Sequence, residues 1–240
     1  YEEIKRHEDT PWSKFYEEYN ALAFARCPYR RRILGTFESL ARIDRTAFQE
    51  FLRSHYIPAN TTIIVVGDVP AEPVRQHIEA CFEGVAPSSI ESDEVLFESV
   101  DSPQSFELQM DVHQSYLLLG HPTPKLAGTR DEAVLDLATI LLGEGRSSRL
   151  HALLKEELGL VSSVSVSLWS QAKAGLFVVE AVTDAENLPE VQDRVLAELR
   201  HLTRTPPTGE ELDRIKRMAL ADYAFSNETI SAMAHTYGSS

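Results

Sequence analysis

Residues 86–104 hold five acids (Glu91, Asp93, Glu94, Glu98, Asp101), five serines and two prolines, and no lysine or arginine. Charges of one sign repel one another along a helix, and prolines remove ladder donors, so this stretch cannot form the inside of a core element. It reads as a connector, and whatever the chain folds into must be assembled from two halves, 1–85 and 105–240. Val95, Leu96 and Phe97 form its one apolar run, which could still add an edge strand.

Each half mixes helical and strand periodicities. In the first, Trp12, Phe15, Tyr16, Tyr19, Leu22 and Ala23 recur at helical spacing over 1–26, with a break near Pro11. Pro28 ends that pattern. Asp44 is placed to cap a helix carrying Phe48, Phe51 and Leu52, and Tyr56-x-Pro58-x-Asn60 turns it into Thr61–Val66, a β-branched run expected to be a strand. A helix over 72–82 follows. In the second half, 106–112 and 115–119 are strand-like, helices are expected over 130–142 and 147–158, and two strands over 161–169 and 175–182. Serine and valine alternate through the first of these, one wet face and one buried face. Helices over 188–203 and 208–225 come next, the latter opened by a Thr208/Glu211 capping box, and another begins at Thr229. The class is α+β: antiparallel or mixed sheets covered by helices.

Bulk properties exclude several functions. The formal charge is −14. Such a surface repels a polyanion, so nucleic acid is not an expected partner. No apolar run reaches the roughly 18 residues that a membrane-spanning helix needs. The opening Tyr1-Glu2-Glu3-Ile4-Lys5 reads as helix interior, not as a targeting leader. Cys27 and Cys81 lack both a disulfide framework and metal spacing, and nothing here fixes a compartment.

Several stretches, in order, resemble one family. They are Glu2-Glu3-Ile4-Lys5-Arg6-His7-Glu8-Asp9-Thr10-Pro11, Pro28-Tyr29 with Ile33-Leu34-Gly35-Thr36, and His55-Tyr56-Ile57-Pro58-Ala59-Asn60 leading into Val65-Val66-Gly67-Asp68-Val69. In the second half they are Gly143-Glu144-Gly145-Arg146-Ser147-Ser148-Arg149-Leu150 and Lys155-Glu156-Glu157-Leu158-Gly159-Leu160. Together they are similar to the inverted-zincin metallopeptidases: pitrilysin, insulin-degrading enzyme and mitochondrial processing peptidase. Gly143-x-Gly145 could be mistaken for a phosphate loop, but no lysine sits where one would grip phosphate.

The resemblance implies a clam-shell protein built from repeated α+β domains that enclose peptides. Residues 1–85 would then be the later part of one domain, 86–104 the acidic linker and 105–240 the earlier part of the next, both sheets incomplete. It also implies zinc held by an inverted His-x-x-Glu-His helix and a distant glutamate, with the fourth position open to water. Glu3 falls where the family places that distant ligand. None of the eight histidines forms a His-x-x-Glu-His or His-Glu-x-x-His pair, so the resemblance puts the motif outside this chain, and the chain alone should be inactive.

Active relatives supply an arginine and, seven residues on, a tyrosine that hold substrate near the metal. The matching positions here are Lys155 and Ser162. Lysine keeps the charge without the planar fork, and serine lacks the reach of a phenol. The resemblance therefore implies a zinc endopeptidase acting on peptides. The alternative is a non-catalytic subunit or scaffold that assembles, as a homo- or hetero-oligomer, with an active partner or with the remainder of its own parent chain.

Overall fold

A computed structural model describes residues 1–24, 27–85, 102–123, 128–171 and 174–239. The chain is a mixture of helices with one three-stranded antiparallel sheet. It divides into two compact units, residues 1–34 with 95–221, and residues 35–94 with 222–240.

The first unit is organised by its sheet. Strands β1 (Ser115–Thr123), β2 (Val161–Ser170) and β3 (Gly175–Thr183) lie in the order β1-β3-β2. β3 is central, antiparallel to both neighbours, and is buried on both faces. Period-2 alternation sorts its side chains. Val179 and Ala181 enter one core with Leu142, Leu150, Leu154, Val191 and Val195, whereas Leu176 and Val178 enter another with Tyr19, Phe24, Cys27 and Leu118. A sheet so covered needs helices on both sides.

The helices supply that cover. α1 (Glu2–Glu8) and α2 (Pro11–Ala23) are separated at Asp9-Thr10, with Pro11 opening the second helix, where its missing N–H costs nothing. α2 lays Tyr19 over β1, and the fit is so close that a Cβ at Gly120 would overlap the Tyr19 hydroxyl. Further on come α6 (Arg130–Gly143), α7 (Leu188–Arg204) and α8 (Gly209–Ser226). α7 presents Val191, Val195, Leu199 and Leu202, a stripe at helical spacing, to the first core. α6 ends against β2, where a Cβ on Gly143 would lie 2.5 Å from the Val166 nitrogen.

The remaining helices, α3 (Phe37–Ala41), α4 (Arg45–His55), α5 (Ala71–Cys81) and α9 (Ile230–Ser239), belong to the second unit. Asp44 caps α4 by accepting the Ala47 N–H at 2.8 Å, as its position in the sequence implies. Pro58–Asn60 forms a 3₁₀ turn in which the Asn60 amide donates to the His55 carbonyl, which explains why asparagine serves there.

Two expected strands are corrected. Thr61–Val66 pairs with no strand among the described residues, and Ile63 and Val65 remain about half exposed. A β-branched run becomes a strand only when a neighbour accepts its ladder, and none of the described residues does so. Residues 106–112 likewise join no ladder. Phe106 packs instead against Phe15, ring centroids 5.5 Å apart, so its apolar character serves the aromatic core. The possible edge strand at Val95–Phe97, and the connector up to Asp101, lie outside the described residues.

Candidate functional site

The Gly143–Leu150 motif builds a rigid corner after α6. Gly145 adopts φ 76°, a conformation that glycine alone tolerates without strain. Ser148, fully buried, turns both its N–H and its hydroxyl onto the Gly145 carbonyl, at 3.1 and 2.8 Å. Ser148 thereby holds the turn. Arg149 then anchors the corner to two helices. Its guanidinium forks onto Glu211 of α8 at 2.7 and 3.0 Å and reaches Glu198 of α7 at 3.0 Å. These charge-assisted bonds hold the Glu211 carboxyl down at about 2 and push the Arg149 guanidinium up.

Beyond the corner, His151–Glu157 is a π-helix. The Leu158 N–H bonds to the Leu153 carbonyl, and the Leu160 N–H reaches back to Leu154, with Gly159 at φ 63° closing the end. Each turn of a π-helix accommodates an additional residue and re-aims the side chains beyond it, and such turns frequently occur at functional sites. Lys155 sits on this helix, exposed, with no ion pair to a described residue. Its neighbour Glu156 is occupied by Arg146, whose guanidinium donates at 3.2 and 3.3 Å.

Ser162 lies in an irregularity of β2. Val161 pairs with Thr183 and Ser163 with Val182, so Ser162 is an additional residue with no partner of its own. This is a β-bulge, and it has a packing purpose. Val161 and Val164 are three residues apart, which in a regular strand would put them on opposite faces. The bulge lets both enter the same core. The Ser162 hydroxyl donates to Gln114 Oε1 and to the Val182 carbonyl, both at 3.2 Å. Lys155 and Ser162 therefore flank one turn, and no hydrogen bond joins them.

Glu3 is exposed in the first turn of α1, beside buried Ile4, and bonds to no described side chain. As a hard oxygen donor free of partners it fits one ligand position of a zinc site and no more. Among the described residues, no group of three or more His, Cys, Asp or Glu is placed to hold a metal. The nearest histidine in sequence, His7, is four residues on along α1, and its Nδ1 lies 3.3 Å from Glu17.

A half-open cavity in the first unit is a feature that reading the sequence missed. It encloses about 660 Å³ and is lined by Trp12, Tyr16, Glu17, Arg31, Arg32 and Trp169, among others. Tyr16 stacks on Trp169 at 5.2 Å and 24°, and Trp12 meets Tyr16 edge-on at 4.7 Å. Beneath them the Trp169 indole donates to Ser167 at 2.9 Å, and the Ser167 hydroxyl donates to Glu180 at 3.4 Å. Burial, then the hydrogen bond and charge of Glu180, pushes the Tyr16 phenol up, so it stays protonated and donating. The available signal was the Trp12/Tyr16 spacing of four on a helix, which by itself is indistinguishable from an ordinary core stripe.

Comparison with known proteins agrees with this architecture. A family model described as the peptidase M16 inactive domain matches residues 42–219. A protein named an uncharacterized zinc protease, from Rickettsia felis, is 24% identical over 99% of this chain and 57% of its own length. The zinc protease PqqE of Helicobacter pylori is 24% identical, covering 95% of this chain and 52% of its own. Among solved structures, a protease from Helicobacter pylori superposes with a TM-score of 0.81 at 25% identity, over 98% of this chain and 58% of that one. A peptidase M16 inactive domain from Pseudomonas fluorescens has a TM-score of 0.80 at 20% identity, covering 98% and 56%. A chain of complex III2 from Candida albicans reaches 0.81 at 17%, covering 97% and 57%. The last two likenesses show the fold alone. The chain belongs to the peptidase M16 family, matching its inactive domain, and so confirms the inverted-zincin resemblance. It spans about half the length of the curated relatives it matches.

Proposed function

We propose that this chain is part of a zinc-dependent endopeptidase of the pitrilysin and processing-peptidase type. The observation that carries the reading is the match to relatives named zinc proteases, which extends over nearly the whole chain. In this reading 1–85 is the later part of one domain and 105–240 the earlier part of the next, joined by the acidic connector 86–104, in a protein whose repeated domains enclose a peptide substrate. The His-x-x-Glu-His helix comes from polypeptide other than this chain. Glu3 supplies a carboxylate to the metal, and Lys155 and Ser162 contact substrate.

Zinc, when bound, would polarise the scissile carbonyl and its own water. The tasks of this chain's residues are simpler. Glu3, free of competing bonds, offers an oxygen donor at no cost in broken ion pairs. Lys155, exposed and in no close ion pair with a described residue, attracts a substrate carbonyl or carboxylate. The exposed Ser162 hydroxyl, its proton directed to Gln114 and the Val182 carbonyl, leaves its oxygen to accept from a substrate N–H, over a shorter reach than a tyrosine has.

A second reading is a non-catalytic subunit acting through assembly. Two observations favour it: the inactive-domain description of the matched family, and the Lys155/Ser162 pair standing in place of arginine and tyrosine. The two readings separate on the full-length protein. Glu3→Gln is expected to lower bound zinc and peptide cleavage together, with an unchanged circular dichroism spectrum. Lys155→Ala is expected to raise KM by about tenfold at constant zinc content, the loss of one charge-assisted contact. Wild-type protein that binds no zinc and cuts no unfolded peptide removes the enzymatic reading and leaves the scaffold.

A further inference from the structure

We infer that the aromatic cavity of the first unit is a binding site for a short peptide carrying an acidic side chain next to an aromatic one. Its volume, about 660 Å³, lies within the roughly 300–1,000 Å³ range of ligand pockets. Its walls are flat rings, with Trp12, Tyr16 and Trp169 already in mutual contact, so another ring can stack without rearranging them.

The charge of the cavity is asymmetric in a way that selects the ligand. Arg30-Arg31-Arg32 is the one run of three cations in a chain of net charge −14. Arg32 is already committed: its Nε lies 3.0 Å from Glu17, and its other nitrogens lie 3.6 Å from Glu8 and 3.8 Å from Glu18. Glu17 is occupied in turn by Arg32 and His7. Arg31 differs. It lines the cavity, is exposed, and makes no side-chain bond to any described residue. A guanidinium with an empty fork beside stacked rings recognises a carboxylate bidentately while the rings take the neighbouring side chain. A nucleic acid strand offers rings and anions as well, but its repeated phosphates would meet Glu8, Glu17, Glu18 and the negative surface of the whole chain. A peptide brings one or two carboxylates and no more.

The inference concerns binding and stands apart from zinc and from cleavage, so a chain that cuts nothing is still expected to bind. The chain contains two tryptophans, Trp12 and Trp169, and both line the cavity, so intrinsic fluorescence reports on it directly. Titration of the full chain with acetyl-Phe-Glu-Glu-amide is expected to give a saturable emission change. Acetyl-Phe-Lys-Lys-amide, and the acidic peptide on the Arg31→Glu variant, are each expected to bind about tenfold more weakly or worse. Arg31 is exposed and unpaired, so the variant should fold, and an unchanged circular dichroism spectrum checks this. The inference is overturned by no saturable signal, by equal affinity for the acidic and basic peptides, or by indifference to a folded Arg31→Glu. Tighter binding of oligothymidylate than of the acidic peptide overturns it as well.

Discussion

Arg149 shows how one side chain can settle the geometry of a motif. Its guanidinium is 16% exposed, Glu198 16% and Glu211 26%, so three charges are held largely out of water and must satisfy one another. Replacement by methionine leaves two carboxylates facing each other across α7 and α8. The expected loss is about 2–3 kcal/mol, somewhat less than for a fully buried pair because Glu211 keeps a quarter of its side chain in solvent. Chemical denaturation of the two proteins measures it. The pair also has a pH signature. The Glu211 carboxyl, ordinarily near 4.5, is lowered to about 2 in the folded chain, chiefly by its bond to Arg149. A lowered folded value contributes stability that is fully present above about 4.5 and is lost as the pH falls toward about 2. Thermal midpoints are expected to drop across that window in the wild type and to drop less steeply in Arg149→Met. Equal slopes in the two proteins would show that the pair is not the source.

Among the elements, β2 carries the most informative departure from a simple period. Its alternation was legible in the sequence, and Ser163 and Ser165 do face water while Val164 enters the core. The bulge at Ser162 was not legible, because Val161 and Val164 conflict with alternation only once both are seen in one core. Deleting Ser162 leaves Val161 and Val164 two positions apart, on one face of a regular strand, so both valines should keep their places in the core. The expected cost is about 1 kcal/mol or less, the loss of the exposed Ser162 hydroxyl's hydrogen bonds, read from a denaturation curve. A loss of about 1.5–3 kcal/mol, the burial of one valine, would mean that Val161 has left the core and that Ser162 is not a simple additional residue. Two helices were legible from local caps: Thr208 and Glu211 exchange hydrogen bonds as a capping box at α8, and Asp44 caps α4; the short α3, capped by Thr36 and Ser39, was not read. The π-helix was not, since its residues have ordinary helical spacing and the additional residue per turn is absorbed in the backbone.

On the scale of the whole molecule the two units differ in how much they bury. Every buried apolar residue among the described ones belongs to the first unit, and none lies in 35–85 or 222–238. Phe48, Phe51, Tyr56 and Phe225 are all more than half exposed. Local stability follows buried apolar contact, so amide hydrogen exchange in α4, α5 and α9 should be markedly faster than in β3 and α7. Comparable protection in both units would contradict this. Among the described residues no helix is long and apolar enough to cross a membrane.

By itself, the sequence determined the class and family of this protein: helices and strands at recognisable spacings, caps, turns, and an ordered set of motifs. These are local properties, set by residues within a few positions of one another, and they survive without knowledge of what packs against what. Only the tertiary structure decided that Thr61–Val66 and residues 106–112 pair with no strand among the described residues, and that Ser162 occupies a bulge. It also decided that Trp12, Tyr16, Arg31 and Trp169 share one cavity. Pairing and enclosure depend on partners distant in the chain. A β-branched run carries no mark of whether a neighbour exists, and a tryptophan carries none of which side chains will meet its face.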